Sequence, residues 1–199
     1  MGYRGDPVRV LIVPGLHGSG PGHWQTWLQR RWRGSARVEQ HDWAVADLER
    51  WADRIGETLA CHRGGCWVAV AHSFGCLALA RYLAREGAAV APVEAALPVA
   101  PADPRKFEVA RLLPHSRLPV RSYLVGSETD PWMTEAHAGS LARRWGSRYI
   151  NLGDAGHINV DAGYGPWPQA HALVRLLVQQ VERGRRLQRA DPLELSFAV

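Results

Sequence analysis

The sequence predicts an α/β protein: a three-layer sandwich in which a mostly parallel sheet of about six strands is covered by helices on both faces. Two observations favour this class. Short apolar or β-branched runs alternate with stretches of helical periodicity along the 199 residues, as in chains whose strands are joined by crossover helices. The composition, 46% hydrophobic and 22% charged, is that of a globular chain with a sizeable core. We expect one domain over residues 1–182 and a basic, loosely ordered tail over 183–199.

Six runs are candidates for the strands of the sheet. Each run is short and rich in apolar or β-branched residues. In chain order they cover residues 8–13, 36–40, 66–71, 93–99, 120–125 and 148–152. The carboxyl ends of parallel strands lie at one edge of the sheet, and ligands of such proteins bind beyond that edge. Functional residues are therefore expected directly after these runs.

Helices are predicted where apolar residues recur at helical spacing. The stretches cover residues 24–32, 48–59, 74–85, 134–145 and 169–182. Asp47 directly precedes the second stretch and can cap it. Several of the nine Trp residues fall on these apolar faces, so core packing is their expected role. Trp132 and Trp167 differ because they lie in loops, and we take both as candidates for lining a substrate site.

Charge and cysteine content narrow the classes of function. The formal net charge is +5, but the Arg-rich segment 183–189 concentrates part of it in the tail and the rest is diffuse. A nucleic-acid-binding role is therefore not favoured. Cys61, Cys66 and Cys76 have the spacing of neither a disulfide framework nor a zinc site, and no cluster of ligand residues has metal spacing. We expect reduced thiols, no metal and no other cofactor.

The apolar runs also bear on location. The N-terminal run VRVLIV is too short for the core of a signal peptide or for a membrane span. No later run approaches the roughly 18 residues that a span requires. We expect a cytoplasmic protein that does not enter membranes.

The stretch VAVAHSFGCLALA, residues 68–80, contains the first candidate for catalysis. Ser73 lies between an apolar strand and a run of good helix formers, which is the strand–turn–helix setting of a nucleophile elbow. Such a strained turn needs small residues two before and two after the serine, and these are Ala71 and Gly75. The helix that follows directs its N-terminal amides toward the serine, where negative charge develops on a substrate. The alternative is a serine that caps a core helix.

A serine nucleophile needs a base and a carboxylate that orients the base. His157 lies in the stretch GDAGHIN after the last predicted strand, and Asp130 lies in GSETDPW after the fifth. The order Ser, acid, His is that of hydrolases with a nucleophile elbow. Asp103, in APADP after the fourth strand, is the alternative acid because it also follows a strand. Glu128 and Asp154 are interpreted as solvated loop residues.

Two backbone N–H groups are expected to stabilise the oxyanion of such a reaction. One belongs to Phe74, directly after the serine, and we assign the other to Leu16 in the glycine-rich stretch PGLHGSGPGHW. This stretch lacks the spacing of a P-loop or a dinucleotide-binding turn, so phosphate binding is not favoured. His17 is a candidate for lining a substrate site. For both His17 and His23, packing or helix-start roles are favoured over a role as ligands.

These residues lie within longer blocks, VPGLHGSGPGHWQTWL, AHSFG, PVAPADP, SETDPW and LGDAGHINVDAGYGPWPQ. In this order the blocks resemble the small serine hydrolase family that includes retinoblastoma-binding protein 9 and the YdeN-type bacterial proteins, over about residues 8–182. The resemblance implies a compact α/β-hydrolase without a lid domain and a triad of Ser73, Asp130 and His157. Two departures are small: Ala71 stands where many hydrolases have Gly, and Thr129 stands where the family often has Asn.

The sequence therefore predicts a serine hydrolase that cleaves an ester or amide bond of a small molecule through an acyl-enzyme intermediate. Residues 100–119, between the fourth and fifth predicted strands, are too few for a lid domain. An open site for small or extended acyl groups is expected. The alternative is a protein-binding module that retains the hydrolase frame, because a fold does not fix a function.

Overall fold

The computed structural model describes residues 7–62, 64–87 and 91–189 of the chain. The strands are β1 (Val8–Val13), β2 (Ala36–Arg37), β3 (Cys66–His72), β4 (Val93–Val99), β5 (Arg121–Gly126) and β6 (Arg148–Asn151). The helices are α1 (Trp24–Arg31), α2 (Leu48–Cys61), α3 (Phe74–Glu86), α4 (Glu135–Trp145) and α5 (Pro168–Arg189). The strands form one parallel sheet in the order β2-β1-β3-β4-β5-β6. The predicted fold class is confirmed.

Alternate side chains of the strands face two separate cores, because successive residues of a strand point to opposite faces of the sheet. Leu11 and Val13 of β1 face α2, α3 and α4, whereas Val10 and Ile12 face α1 and α5. Trp51 of α2 and Trp24 of α1 are fully buried, one in each core. Helices therefore cover both faces of the sheet. A ligand site is expected at the carboxyl edge of its strands.

Two boundaries differ clearly from the predictions, and one predicted helix cap is confirmed. The edge strand β2 pairs with β1 only at Ala36 and Arg37, so it is shorter than predicted, although the Val38 N–H still donates to the Ile12 carbonyl at 2.9 Å. Asp47 caps α2 as predicted, and its carboxylate accepts the Arg50 N–H at 3.1 Å. The second difference, at the end of α5, concerns the predicted tail.

Helix α5 is longer than the sequence predicts and ends at Arg189. Residues 183–189, which we assigned to a loosely ordered tail, are thus helical. One contact that holds this part is the Arg185 guanidinium, which donates to the Glu94 carboxylate of β4 at 2.7 Å. The rest of the predicted tail, residues 190–199, lies outside the described residues.

The segment between β4 and β5 contains turns and one short 3₁₀ helix, Ala110–Leu112, and it forms no lid domain. Cys61 is exposed, Cys66 and Cys76 are buried, and no disulfide joins any two of these three described residues. In the described ranges, no helix has the length and apolar character that crossing a bilayer requires. The same ranges contain no group of three or more His, Cys, Asp and Glu residues that could hold a metal ion.

Candidate active site

Three loops at the carboxyl edge of the sheet bring Ser73, Asp130 and His157 together. These loops follow β3, β5 and β6. The Ser73 Oγ lies 2.9 Å from His157 Nε2, and His157 Nδ1 lies 2.9 and 3.0 Å from the two carboxylate oxygens of Asp130. The side chains of His157 and Asp130 are only 9% and 3% exposed. One hydrogen-bonded row thus joins residues that are 84 positions apart along the chain.

The contacts of His157 fix its tautomer. A carboxylate only accepts hydrogen bonds, so Nδ1 must carry the proton that faces Asp130. The lone pair of the neutral ring then lies on Nε2 and faces the Ser73 hydroxyl, which donates to it. Asp130 is itself oriented by the backbone, because its Oδ1 accepts the Trp132 N–H at 2.9 Å. In this arrangement the imidazole can take a proton from Ser73.

Ser73 occupies a strained turn between β3 and α3. Its backbone has φ 52° and ψ −125°, a conformation that L-residues rarely adopt. Two glycines allow the close packing of this turn. A Cβ on Gly15 would lie 2.7 Å from the Ser73 Cβ, and a Cβ on Gly75 would lie 2.3 Å from the Pro14 carbonyl oxygen. The structure therefore has the steric features of a nucleophile elbow.

The two amides predicted to bind an oxyanion lie beside this turn. Phe74 is the first residue of α3, and Leu16 lies in the loop after β1, where it lines the cleft at Ser73. Within the described part of the chain, neither of these N–H groups donates to a protein acceptor. Neither donor is therefore occupied by another group in the described part of the chain.

A cleft of about 370 Å³ contains Ser73 and His157. Leu16, Phe107, Trp132 and Val160 give it apolar walls. Trp132 and Val160 are 45% and 52% exposed, so they form an open apolar rim. His17 also lines the cleft, which is where the sequence placed it together with Trp132.

The prediction that Trp167 lines the substrate site is wrong. Trp167 is only 5% exposed and packs edge-to-face against Trp24, with ring centroids 5.1 Å apart, and against Tyr164 at 5.2 Å. The Trp24 indole in turn donates to the Ile158 carbonyl at 2.9 Å. Trp167 thus belongs to the core that supports the loop after His157, and its position in a loop did not reveal this burial.

Two histidines beside the cleft were not assigned to the site by sequence reasoning. His72 Nε2 lies 3.0 Å from the His157 carbonyl oxygen and donates to it. His23 caps α1, since its Nδ1 accepts the Gln25 N–H. Burial lowers the pKa of His72 well below its ordinary value, and burial, with smaller effects of Arg37 and His157, lowers the pKa of His23 to about 4. Both rings are therefore neutral at pH 7. The one signal in the sequence was the place of His72 directly before Ser73.

Asp103, the alternative acid, has a different partner. Its two carboxylate oxygens accept hydrogen bonds from the Arg105 side chain at 3.1 and 2.7 Å. Side-chain hydrogen bonding from Arg105 is the largest effect that lowers the pKa of Asp103, against a smaller opposing effect of burial. Asp130, and not Asp103, lies against His157.

A family model described as serine hydrolase matches residues 10–176. A solved structure described as a YdeN-like hydrolase from Pectobacterium atrosepticum is similar, with 32% identity, a TM-score of 0.81, and coverage of 86% of this chain and 91% of that chain. No curated protein sequence matches this chain.

More distant structures share the fold alone. The ydeN gene product from B. subtilis is 18% identical, with a TM-score of 0.71 and coverage of 87% of this chain and 100% of that chain. Mouse alpha/beta hydrolase domain-containing protein 10 is 13% identical, with a TM-score of 0.65 and coverage of 90% and 92%.

Proposed function

Because this chain belongs to the serine hydrolase family, we propose that it cleaves an ester or amide bond of a small molecule through an acyl-enzyme intermediate. The observation that supports this proposal is the hydrogen-bonded row from the Ser73 hydroxyl through His157 to Asp130. The row is accessible to a substrate because Ser73 and His157 line an open cleft. A nucleophile, a base and an orienting acid within hydrogen-bond distance are the requirements of acyl transfer.

In the acylation step, Ser73 Oγ attacks the carbonyl carbon of the substrate while His157 Nε2 takes the hydroxyl proton. The carbonyl oxygen becomes an oxyanion, to which the N–H groups of Phe74 and Leu16 donate. The imidazolium then gives its proton to the departing alcohol or amine, and the carbon–heteroatom bond breaks. Asp130 holds the reactive tautomer of His157 and stabilises the imidazolium.

In the deacylation step, a water molecule takes the place of the leaving group. His157 Nε2 removes a proton from the water as its oxygen attacks the acyl carbon. The tetrahedral intermediate collapses, the acid leaves, and the proton returns from the imidazolium to Ser73 Oγ. His72 and His23 stay neutral at pH 7, so they do not oppose the positive charge on His157 as charged neighbours would.

The cleft suits small or extended acyl groups. Its apolar rim, Trp132 and Val160, is exposed and does not enclose a long alkyl chain. We expect a higher kcat/KM for p-nitrophenyl acetate or butyrate than for p-nitrophenyl palmitate, measured in the same detergent. A sharp preference for the palmitate ester would contradict this substrate range while leaving the hydrolase proposal in place.

Labelling with a fluorophosphonate probe tests the proposed activity. The wild-type protein is expected to be labelled at Ser73, as located by peptide mass spectrometry, since only an activated serine attacks the probe readily. The variant Ser73→Ala is expected to fold, by circular dichroism, and to remain unlabelled. The control Ser140→Ala changes an exposed serine of α4 and retains full labelling.

Two results would count against the proposal. Labelling that persists in Ser73→Ala would identify another nucleophile. A folded wild-type protein that is neither labelled nor able to hydrolyse short p-nitrophenyl esters would favour the protein-binding alternative.

A further inference from the structure

A buried hydroxyl joins the loop of the acid to the loop of the histidine. Ser127 directly follows β5 and is 1% exposed. Its Oγ donates to the Gly153 carbonyl at 3.1 Å and accepts the Ala155 N–H at 3.1 Å and the Thr129 N–H at 3.3 Å. Gly153 and Ala155 lie between β6 and His157, and Thr129 directly precedes Asp130. Ser127 therefore contacts both catalytic loops.

Other contacts between the two loops are more exposed. Thr129 Oγ1 donates to Asp154 Oδ1 at 2.7 Å and accepts the Gly156 N–H at 3.0 Å, but Thr129 itself is exposed. Water can replace an exposed hydrogen bond at small net cost, whereas loss of a buried partner leaves a donor or acceptor unsatisfied. Among these contacts, those of Ser127 are therefore expected to have the larger effect on the loops.

We propose that Ser127 is a positioning residue that holds the Asp130 carboxylate at hydrogen-bond distance from the His157 imidazole. This inference rests on the proposed function, since it concerns the same site. Neither Asp130 nor His157 lies in a helix or strand, so the distance between their loops depends on contacts between the loops. These contacts are the hydrogen bonds of Ser127 and Thr129 and the backbone bond from the Glu128 N–H to the Gly153 carbonyl at 2.8 Å. The histidine loop also includes Gly153 and Gly156, both with positive φ, which adds conformational freedom if the contacts are lost.

Two further hydrogen bonds limit the expected effect. His72 donates to the His157 carbonyl, and Trp132 donates to Asp130 Oδ1. The first bond holds the backbone of His157, and the second holds the carboxylate of Asp130. Loss of Ser127 Oγ is therefore expected to loosen the pair without separating it completely.

The first test is the variant Ser127→Ala assayed with p-nitrophenyl butyrate. We expect kcat to fall by about 10- to 100-fold, because a displacement of about 1 Å in a catalytic group can cost about 100-fold. KM is expected to stay within about twofold, since Ser127 does not line the cleft. If Ser127→Ala does not fold, Ser127→Cys keeps the shape with a weaker donor and serves for the same measurements.

Ser122→Ala is the matched control. Ser122 lies at the other end of β5, is 4% exposed, and its hydroxyl lies 2.6 Å from that of Ser147, directly before β6. Ser122 thus also joins β5 to the chain next to β6 through a buried hydroxyl. It lies near the start of β5, whereas Asp130 follows the end of that strand. A stability loss similar to that of Ser127→Ala, with kcat unchanged, is expected.

A double-mutant cycle separates positioning from a general structural role. In the Asp130→Asn background, Ser127→Ala should lower kcat by less than about twofold, because both changes act through the same pair. A full additional loss in that background would overturn the proposal. So would a kcat for Ser127→Ala that matches that of Ser122→Ala.

A readout without turnover distinguishes this inference from the proposed function. The His157 Nδ1 proton shared with Asp130 is measurable by proton NMR as a downfield resonance. We expect it to be present in the wild type and in Ser122→Ala, and broadened or lost in Ser127→Ala. If the wild type proves inactive, the hydrolase proposal fails while this resonance still tests the positioning role. A resonance that is unchanged in Ser127→Ala would refute that role.

Discussion

The loops after β4 and β5 each present an aspartate of low exposure at the same edge of the sheet, in the same local sequence pattern. Asp103-Pro104-Arg105 and Asp130-Pro131-Trp132 both follow the pattern Asp-Pro-X. In both, one carboxylate oxygen accepts the N–H of the residue two positions later, at 3.0 and 2.9 Å. The local turn is thus shared by the two carboxylates.

The two carboxylates differ in their hydrogen-bond partners because the third residue of the pattern differs. Arg105 returns its guanidinium to Asp103 through two hydrogen bonds, so a permanent cation engages that carboxylate. Trp132 supplies no cation, and both oxygens of Asp130 face His157 instead. A carboxylate can orient a catalytic base only when that base is its partner. The hydrogen-bond partner, and not the depth of burial or the position after a strand, therefore decides which aspartate can orient His157.

The largest expected effect separates the two aspartates by activity. Asp130→Asn should lower kcat by up to about four orders of magnitude with KM nearly unchanged, because His157 then adopts the wrong tautomer. Asp103→Asn should lower kcat by less than about tenfold. Steady-state kinetics with a short p-nitrophenyl ester measures both, and circular dichroism checks folding. Comparable losses in two folded variants would show that the comparison of their partners is wrong.

A smaller effect concerns the dependence of stability on pH. Hydrogen bonding from Arg105 lowers the pKa of Asp103 in the folded protein. A lowered folded pKa stabilises the fold at pH values above the unfolded pKa, about 3.9, and this contribution disappears as pH falls through the folded value. The wild type should therefore have a higher Tm than Asp103→Asn at pH 7, and the difference should shrink below about pH 4.

Thermal unfolding followed by circular dichroism at pH 7, 5 and 3 measures this difference. The exposed ion pair between Arg50 and Asp47 offers a reference through Asp47→Asn, because asparagine can keep the helix-cap hydrogen bond and removes only the charge. The Tm difference between wild type and Asp103→Asn could instead stay constant over this pH range. That result would indicate that the contact with Arg105 adds no stability that depends on the ionisation of Asp103.

Much of this fold could be predicted because the determining interactions are local. The apolar runs of β1 and β4 have the predicted bounds, and the small residues around Ser73 required a tight turn there. The predicted residues Ser73, Asp130 and His157 lie together because strand ends of a parallel sheet share one edge. The choice between Asp103 and Asp130 depended on contacts across loops, so the sequence left the alternative open.

Other features depended on tertiary packing that no local pattern encodes. Trp167 is buried because α1 and α5 pack on the same face of the sheet, which brings Trp24 against it. The contacts of Ser127 arise from the way the loop after β6 folds back over β5. Short polar loops have too little periodicity to predict either arrangement.

The positive φ of Ser73 also indicates when this turn can form during folding. Such a backbone conformation is higher in energy by about 1–3 kcal/mol and persists only where surrounding structure imposes it. Here the constraint comes from pairing of β1 with β3 next to the turn and from the Ser73 N–H, which donates to the Val99 carbonyl of β4. These contacts join parts of the chain that are distant in sequence, and such pairing is slow because loop-closure entropy is lost before the contacts form. A partly folded chain therefore lacks this backbone geometry at Ser73, and a nascent protein gains it only when β1, β3 and β4 have assembled.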